Sequence, residues 1–187
     1  MSGVRTSSKL LAALAGLAAL AAGPAAYAAS TNTTSHQVDQ MRDGSNKFHD
    51  IALAEAAGYV PFTDVNGVSC IDMPGMGGMG VHYVNPKLIG DPAIDPDAPE
   101  ALVYAPAKDG TLHLAALEYL VDKVTWDKTH PSAPQLFHNK PFDKNTAPNR
   151  FGLPAFYSQH VWVWKHNPAG LLAMWNPRVN CGFITAL

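Results

Sequence analysis

Cysteine is nearly absent from this chain. Two occur in 187 residues, Cys70 and Cys181, and they are too far apart to form the CxxC pair that usually marks a redox or metal-thiolate site. Also missing are a GxSxG nucleophile elbow, a phosphate loop and an HExxH helix, so hydrolase and nucleotide chemistry have no positive support. No two histidines stand in a His-x-His pair, and any metal site must therefore be assembled from separate strands. There is no internal repeat and no excess of basic residues, and nothing favours nucleic acid as a partner. The longest apolar run, residues 10–22, is too short to cross a bilayer comfortably.

That run has another meaning. Arg5 and Lys9 precede it and the small-residue site Ala26-Tyr27-Ala28 follows, which is the pattern of a secretory leader over residues 1–28. No twin arginine is present, and no cysteine follows the site to take a lipid. The expected product is secreted or periplasmic, is not held in a membrane, starts near Ala29 and carries a charge of about −4. Residues 29–35 read as a polar tether, and residues 36–187 as a single domain. In an oxidising compartment Cys70 and Cys181 are expected to form one disulfide, closing a loop of roughly a hundred residues worth about 4–5 kcal/mol in the chain-entropy model. Two thiols binding copper are the rival reading.

A helix is predicted over residues 35–57 from the spacing of Val38, Met41, Phe48, Ile51, Ala52 and Glu55, with Gly58 as a left-handed cap. Gly44 weakens it, so the helix either breaks there or starts after it at Ser45. Beyond Gly58 the pattern changes to strands: GVSCIDM, GVHYV, a hairpin over residues 101–121 turning at Asp109-Gly110, and a last long strand over residues 155–165. Residues 86–106, with Asp91, Asp95, Asp97 and Glu100, read as a solvated acidic loop rather than a calcium site. The fold class is α+β, mainly antiparallel sheet with an N-terminal helix packed on it.

One charged residue sits where apolar ones are expected. Glu118, in AALEYLV, shares a strand face with Leu112, Leu114, Ala116 and Leu120, and the opposite face is apolar too. A carboxylate there costs several kcal/mol unless it is paired, protonated or bound to a metal. His160, beside Trp162 and Trp164, and His82, entering VHYV, can supply partners. Two histidines and one carboxylate suit zinc, copper or iron with an open position. A core in which Glu118 is merely satisfied by a backbone amide or a hydroxyl is the alternative. His36, His49, His130 and His138 have weaker claims, His49 as a packing residue and the latter two in exposed loops.

The stretch CIDMPGMGGMGVHYVN places Met73, Met76 and Met79 three apart, with glycines between them. Thioethers bind Cu(I), but a glycine-methionine loop also closes flexibly over an apolar pocket, and the lid is the favoured reading over the copper arm. Met73, Met76, Met79, Trp162 and Trp164 are the expected pocket residues.

The segments LAEAAGYVPF, GMGVHYVNPKLIGD, PEALVYAP with LEYLV, and LPAFYSQHVWVWKHNPAGLLAMWNPRVNC together resemble a group of small, functionally uncharacterised exported bacterial proteins. The resemblance implies an exported single-domain protein and assigns no residue a role. From the residues themselves the leading expectation is a metal ion or small ligand bound at His82, Glu118 and His160. An enzyme using the same trio, with Glu118 as general base or the metal as Lewis acid, and an interaction protein with no site are the two alternatives.

Overall fold

The computed structural model describes residues 24–136 and 140–184. Residues 1–23 of the expected leader and His138 lie outside them. α1 covers Pro24–Ser45 and includes the stretch read as a tether. A 3-10 turn, Asn46–His49, and a short helix α2, Ile51–Ala56, follow, so the helix predicted over residues 35–57 is divided. The division falls at Ser45, whose hydroxyl donates back to the Met41 carbonyl at 2.6 Å instead of capping the next turn. Asp50 then starts α2 by accepting from the Ala52 amide at 3.0 Å. Gly44 is not the breaker. It lies inside α1, where a Cβ would stand 3.2 Å from the backbone of Asp97. At the far end of α2 the amides of Gly58 and Tyr59 donate to the carbonyls of Glu55 and Ala54, with Gly58 at φ +98°. This is the left-handed cap expected from the sequence.

The rest is a seven-stranded antiparallel sheet built from β1 (Val60–Pro61), β2 (Cys70–Met73), β3 (Gly77–Val84), β4 (Ala101–Pro106), β5 (Leu112–Asp122), β6 (Asp143–Asn145) and β7 (Phe156–Val161). Its order is β1-β3-β4-β5-β7-β6, with β2 also paired to β3. Two short helices, α3 (Pro86–Ile89) and α4 (Lys123–Asp127), follow β3 and β5. The β4–β5 hairpin turns where expected: Asp109 accepts from the amide and hydroxyl of Thr111, and Gly110 takes φ +84°. None of the described helices is long and apolar enough to cross a membrane.

Four expectations need correction. β5 bulges, since Val103 pairs with Ala116 but Tyr104 with Leu114, leaving Ala115 extra. Leu112 and Leu114 therefore move to the face opposite Glu118, where they join Leu117, Tyr119 and Val121. The last strand ends at Val161 rather than at residue 165, because the amides of Trp164 and Lys165 both turn to the carbonyl of the bulged Ala115, at 3.1 and 2.9 Å. The acidic connection is solvated only in part. Glu100 is 2 % exposed, and its carboxyl accepts from the Leu120 amide at 2.9 Å.

The fourth correction concerns the methionine-glycine stretch, which is a β-hairpin and not a loose loop. β2 and β3 pair across it, and the C-terminal segment crosses it next to the turn, where Gly78 exchanges backbone hydrogen bonds with Asn176. Gly77, at φ +92°, has no room for a side chain, since a Cβ would lie 2.1 Å from the Asn176 carbonyl oxygen. GMGGMG also satisfies the GxGxxG spacing, yet it leads into a strand and offers no helix N-terminus to a phosphate. The Cys70–Cys181 disulfide, spanning 111 residues, ties β2 to the same C-terminal segment.

The two sheet faces are filled differently. One is covered by α1 and the 3-10 turn, and Met41 and Phe48 pack with Leu102, Tyr104, Leu117 and Tyr119 in the largest cluster. Burying each of these large side chains contributes about 1.5–3 kcal/mol. The tyrosine hydroxyls are satisfied by backbone: Tyr104 donates to Phe48 and Tyr119 to Pro96. The other face carries small residues, Ala101, Val103 and Ala116, and this is where the sheet leaves space.

Candidate metal centre

Glu118 on β5 lies directly opposite His160 on β7, and on its other side it pairs with Ala101 of β4. His82 is two strands from Glu118, on β3, opposite Val103. Strands two apart are separated by about 10 Å, so a histidine and a glutamate meet across the intervening strand only if that strand carries little between them. Ala101 meets the requirement. Its side chain is a single methyl, and from opposite Val103 His82 Nε2 crosses β4 to lie 3.2 Å from Glu118 Oε2. His82 Nε2 also lies 3.0 Å from His160 Nε2, and His160 Nδ1 is 3.6 Å from Glu118 Oε1.

All three residues are buried, with exposures of 6 %, 7 % and 2 % for His82, Glu118 and His160. One donor atom from each lies within 4.8 Å of the others. Metal–ligand bonds of about 2.0–2.2 Å at tetrahedral angles place neighbouring donors of one ion about 3.3–3.6 Å apart, so the two Nε2 contacts, at 3.0 and 3.2 Å, need open only by a few tenths of an ångström. This arrangement could hold a metal ion.

The electrostatics agree. Burial pushes the Glu118 carboxyl up, but the two histidines and a hydrogen bond from the Ser158 side chain outweigh it and hold the group at about 2. Burial pushes His160 down to about 4, against the pull of Glu118.

His82 and Glu118 line a cavity of about 350 Å³, and His160 stands behind them. Phe62, Leu120, Phe151 and Phe156 are among its apolar walls, with the Phe151 ring 6.1 Å from both Phe62 and Phe156. Its polar lining is largely engaged with the protein itself. Arg150 donates through Nε and Nη2 to Asp64, at 3.1 and 2.6 Å, and this bond leads the influences that lower the Asp64 pKa. Asn149 donates to the carbonyls of Thr146 and Leu153, and Asn145 to the Ser158 hydroxyl.

Of the residues expected at the pocket, Met73 and Met79 line it. Met76 does not, because it sits at the exposed hairpin tip. Trp162 and Trp164 lie elsewhere. Trp162 is buried against Val103 and Val179 and donates to the Ala173 carbonyl, while Trp164, beyond the end of β7, packs on His49 and donates to Ser45. The cavity's tryptophan is Trp175. Asp64 and Arg150 were not predicted, and at 86 residues apart they leave no local signal. His130 stacks on Trp126 at the surface, away from the trio.

Compared with family models, curated proteins and solved structures, the chain matches none.

Proposed function

We propose that this protein binds one divalent transition metal ion, zinc, copper or iron, through His82, Glu118 and His160, and presents it to a small molecule in the adjoining cavity. The observation that carries the reading is the convergence of three buried donors within 3.0 and 3.2 Å across three strands, at the wall of an apolar cavity. Three protein ligands leave the ion an open position, as catalytic metal sites do and closed structural sites do not. With two of the ligands lining the cavity, that position faces it.

The place of action is outside the cytoplasm. The Cys70–Cys181 disulfide supports this, since such bonds persist in oxidising compartments.

Metal analysis of tag-free protein purified without chelator tests the reading. About one equivalent of a transition metal is expected per chain, falling below a tenth in His82→Ala and in His160→Ala. Metal-free protein that takes up no zinc, copper or iron on dialysis overturns it.

A further inference from the structure

The cavity also indicates what it receives, given that the trio holds a metal. Its volume of about 350 Å³ is roughly twice that of a cavity known to take one benzene, which sets the occupant at one or two rings. Phe62, Phe151 and Phe156 form a run of edge-on and tilted rings along the wall, an apolar surface suited to another flat ring. The polar head of the occupant has few partners. The Asn149 amide is committed to its own loop, Asn145 to Ser158, and Arg150 to Asp64. Arg150 keeps only Nη1 outside its pair with Asp64, so recognition of that head falls chiefly to the metal.

Charge then selects its chemistry. A divalent ion held by two neutral imidazoles and one carboxylate keeps one positive charge, and in apolar surroundings a single anionic donor neutralises it. Phenols must first lose a proton bound with a pKa near 10, whereas a carboxylic acid is already ionised at neutral pH.

We propose that the cavity takes an aromatic monocarboxylate of one or two rings, its carboxylate on the metal's open position and its rings against Phe62, Phe151 and Phe156.

Cobalt(II) loading of the metal-free protein, followed by titration with 2-naphthoate and with its uncharged analogue 2-naphthamide, tests this. The cobalt-loaded protein is expected to bind 2-naphthoate at least about tenfold tighter than the amide, with a shift of the visible cobalt bands, whereas metal-free protein shows no such preference. Equal affinity for both compounds with an unchanged cobalt spectrum overturns the ligand class and leaves the metal site standing. Extraction of the cobalt by 2-naphthoate, or tighter naphthoate binding by the metal-free protein, does the same. Failure to take up cobalt at all removes both proposals.

Discussion

Glu100 and Glu118 are both buried, and their carboxyls are driven in opposite directions. Glu100 stands next to β4 beside Tyr59 and Tyr119, whose hydroxyls are pushed up by burial and then by Glu100, and its carboxyl accepts from the Leu120 amide. Burial raises it to about 8, so it is largely protonated at neutral pH. Glu118 has two histidines and a serine within reach and is held at about 2. Similar burial thus has opposite outcomes, decided by which side chains converge on the carboxyl. The helix-covered face of the sheet solves its polar groups with backbone, and the cavity face solves them with side chains that can also bind something else. Only the second arrangement can be put to use.

Truncation at matched positions should break the symmetry between the faces most strongly. Leu117 and Leu120 are neighbours on β5, fully or almost fully buried, but Leu117 sits in the helix-covered cluster and Leu120 lines the cavity. Leu117→Ala leaves a void that its packed neighbours cannot fill and should cost about 3–4 kcal/mol in urea unfolding. Leu120→Ala enlarges a space already present and should cost about 1–2 kcal/mol. Equal costs would mean that the cavity is filled by collapse in solution.

The next contrast is in pH. Because the folded pKa of Glu100 lies above its unfolded value, the native state binds more protons than the unfolded one between about pH 4.5 and pH 8. Its contribution to stability is present below that window and is lost as the pH rises through it, on the order of 5 kcal/mol. Glu100→Gln keeps an acceptor for the Leu120 amide and removes the titration. The variant should flatten this part of the stability-against-pH curve, followed by urea unfolding at each pH. An unchanged slope would place the acid group in contact with water.

Ala101→Leu sharpens the comparison on the cavity side alone. The added side chain occupies the space over β4 through which His82 reaches Glu118, so zinc affinity should fall about 100-fold, equivalent to about 2.7 kcal/mol. The metal-free fold should also lose about 1–3 kcal/mol, since Ala101 is fully buried and packs with Leu120 and Phe156, which the leucine would crowd. Competition with a chelating dye measures the first effect and thermal unfolding of the metal-free protein the second.

Much of the site could be read from the residues, and the reason is energetic. A glutamate inside an apolar strand needs partners wherever the strand lies, and histidines in strand-like surroundings were the available ones. The α+β class, the Asp109-Gly110 turn and the Gly58 cap were legible for a similar reason, because each is set by local backbone preferences. What could not be read depends on how distant segments meet. The bulge at Ala115 changes which leucines share a face with Glu118 and catches the chain after Val161, so Trp164 leaves the strand on which alternation had placed it. The part played by Ala101 is equally hidden, since an alanine in a strand is unremarked until two longer side chains must cross it. The glycines of residues 75–80 looked like flexibility, but Gly77 and Gly78 are clearance for the segment from Asn176 to Cys181 and Gly80 for β4, and Gly75 alone stands open at the turn.

That last difference yields the smallest expected effect. Met73 and Met79 line the cavity, Met76 is at the exposed tip of the hairpin, and the metal donors identified by geometry are nitrogen and oxygen. Leucine closely matches methionine in apolar volume, and such exchanges usually cost less than about 1.5 kcal/mol each, least where the side chain is already half exposed. Replacing Met73, Met76 and Met79 together by leucine should therefore leave zinc affinity within about twofold of the parent and shift the unfolding midpoint only slightly, while removing any separate, weaker Cu(I) binding that the thioethers support. Cu(I) titration against a competing chelator, run beside the zinc measurement, separates the two. If the triple variant instead loses its tightly bound metal, at least one thioether belongs to the centre, and the donor set around His82 and His160 is softer than two imidazoles and a carboxylate.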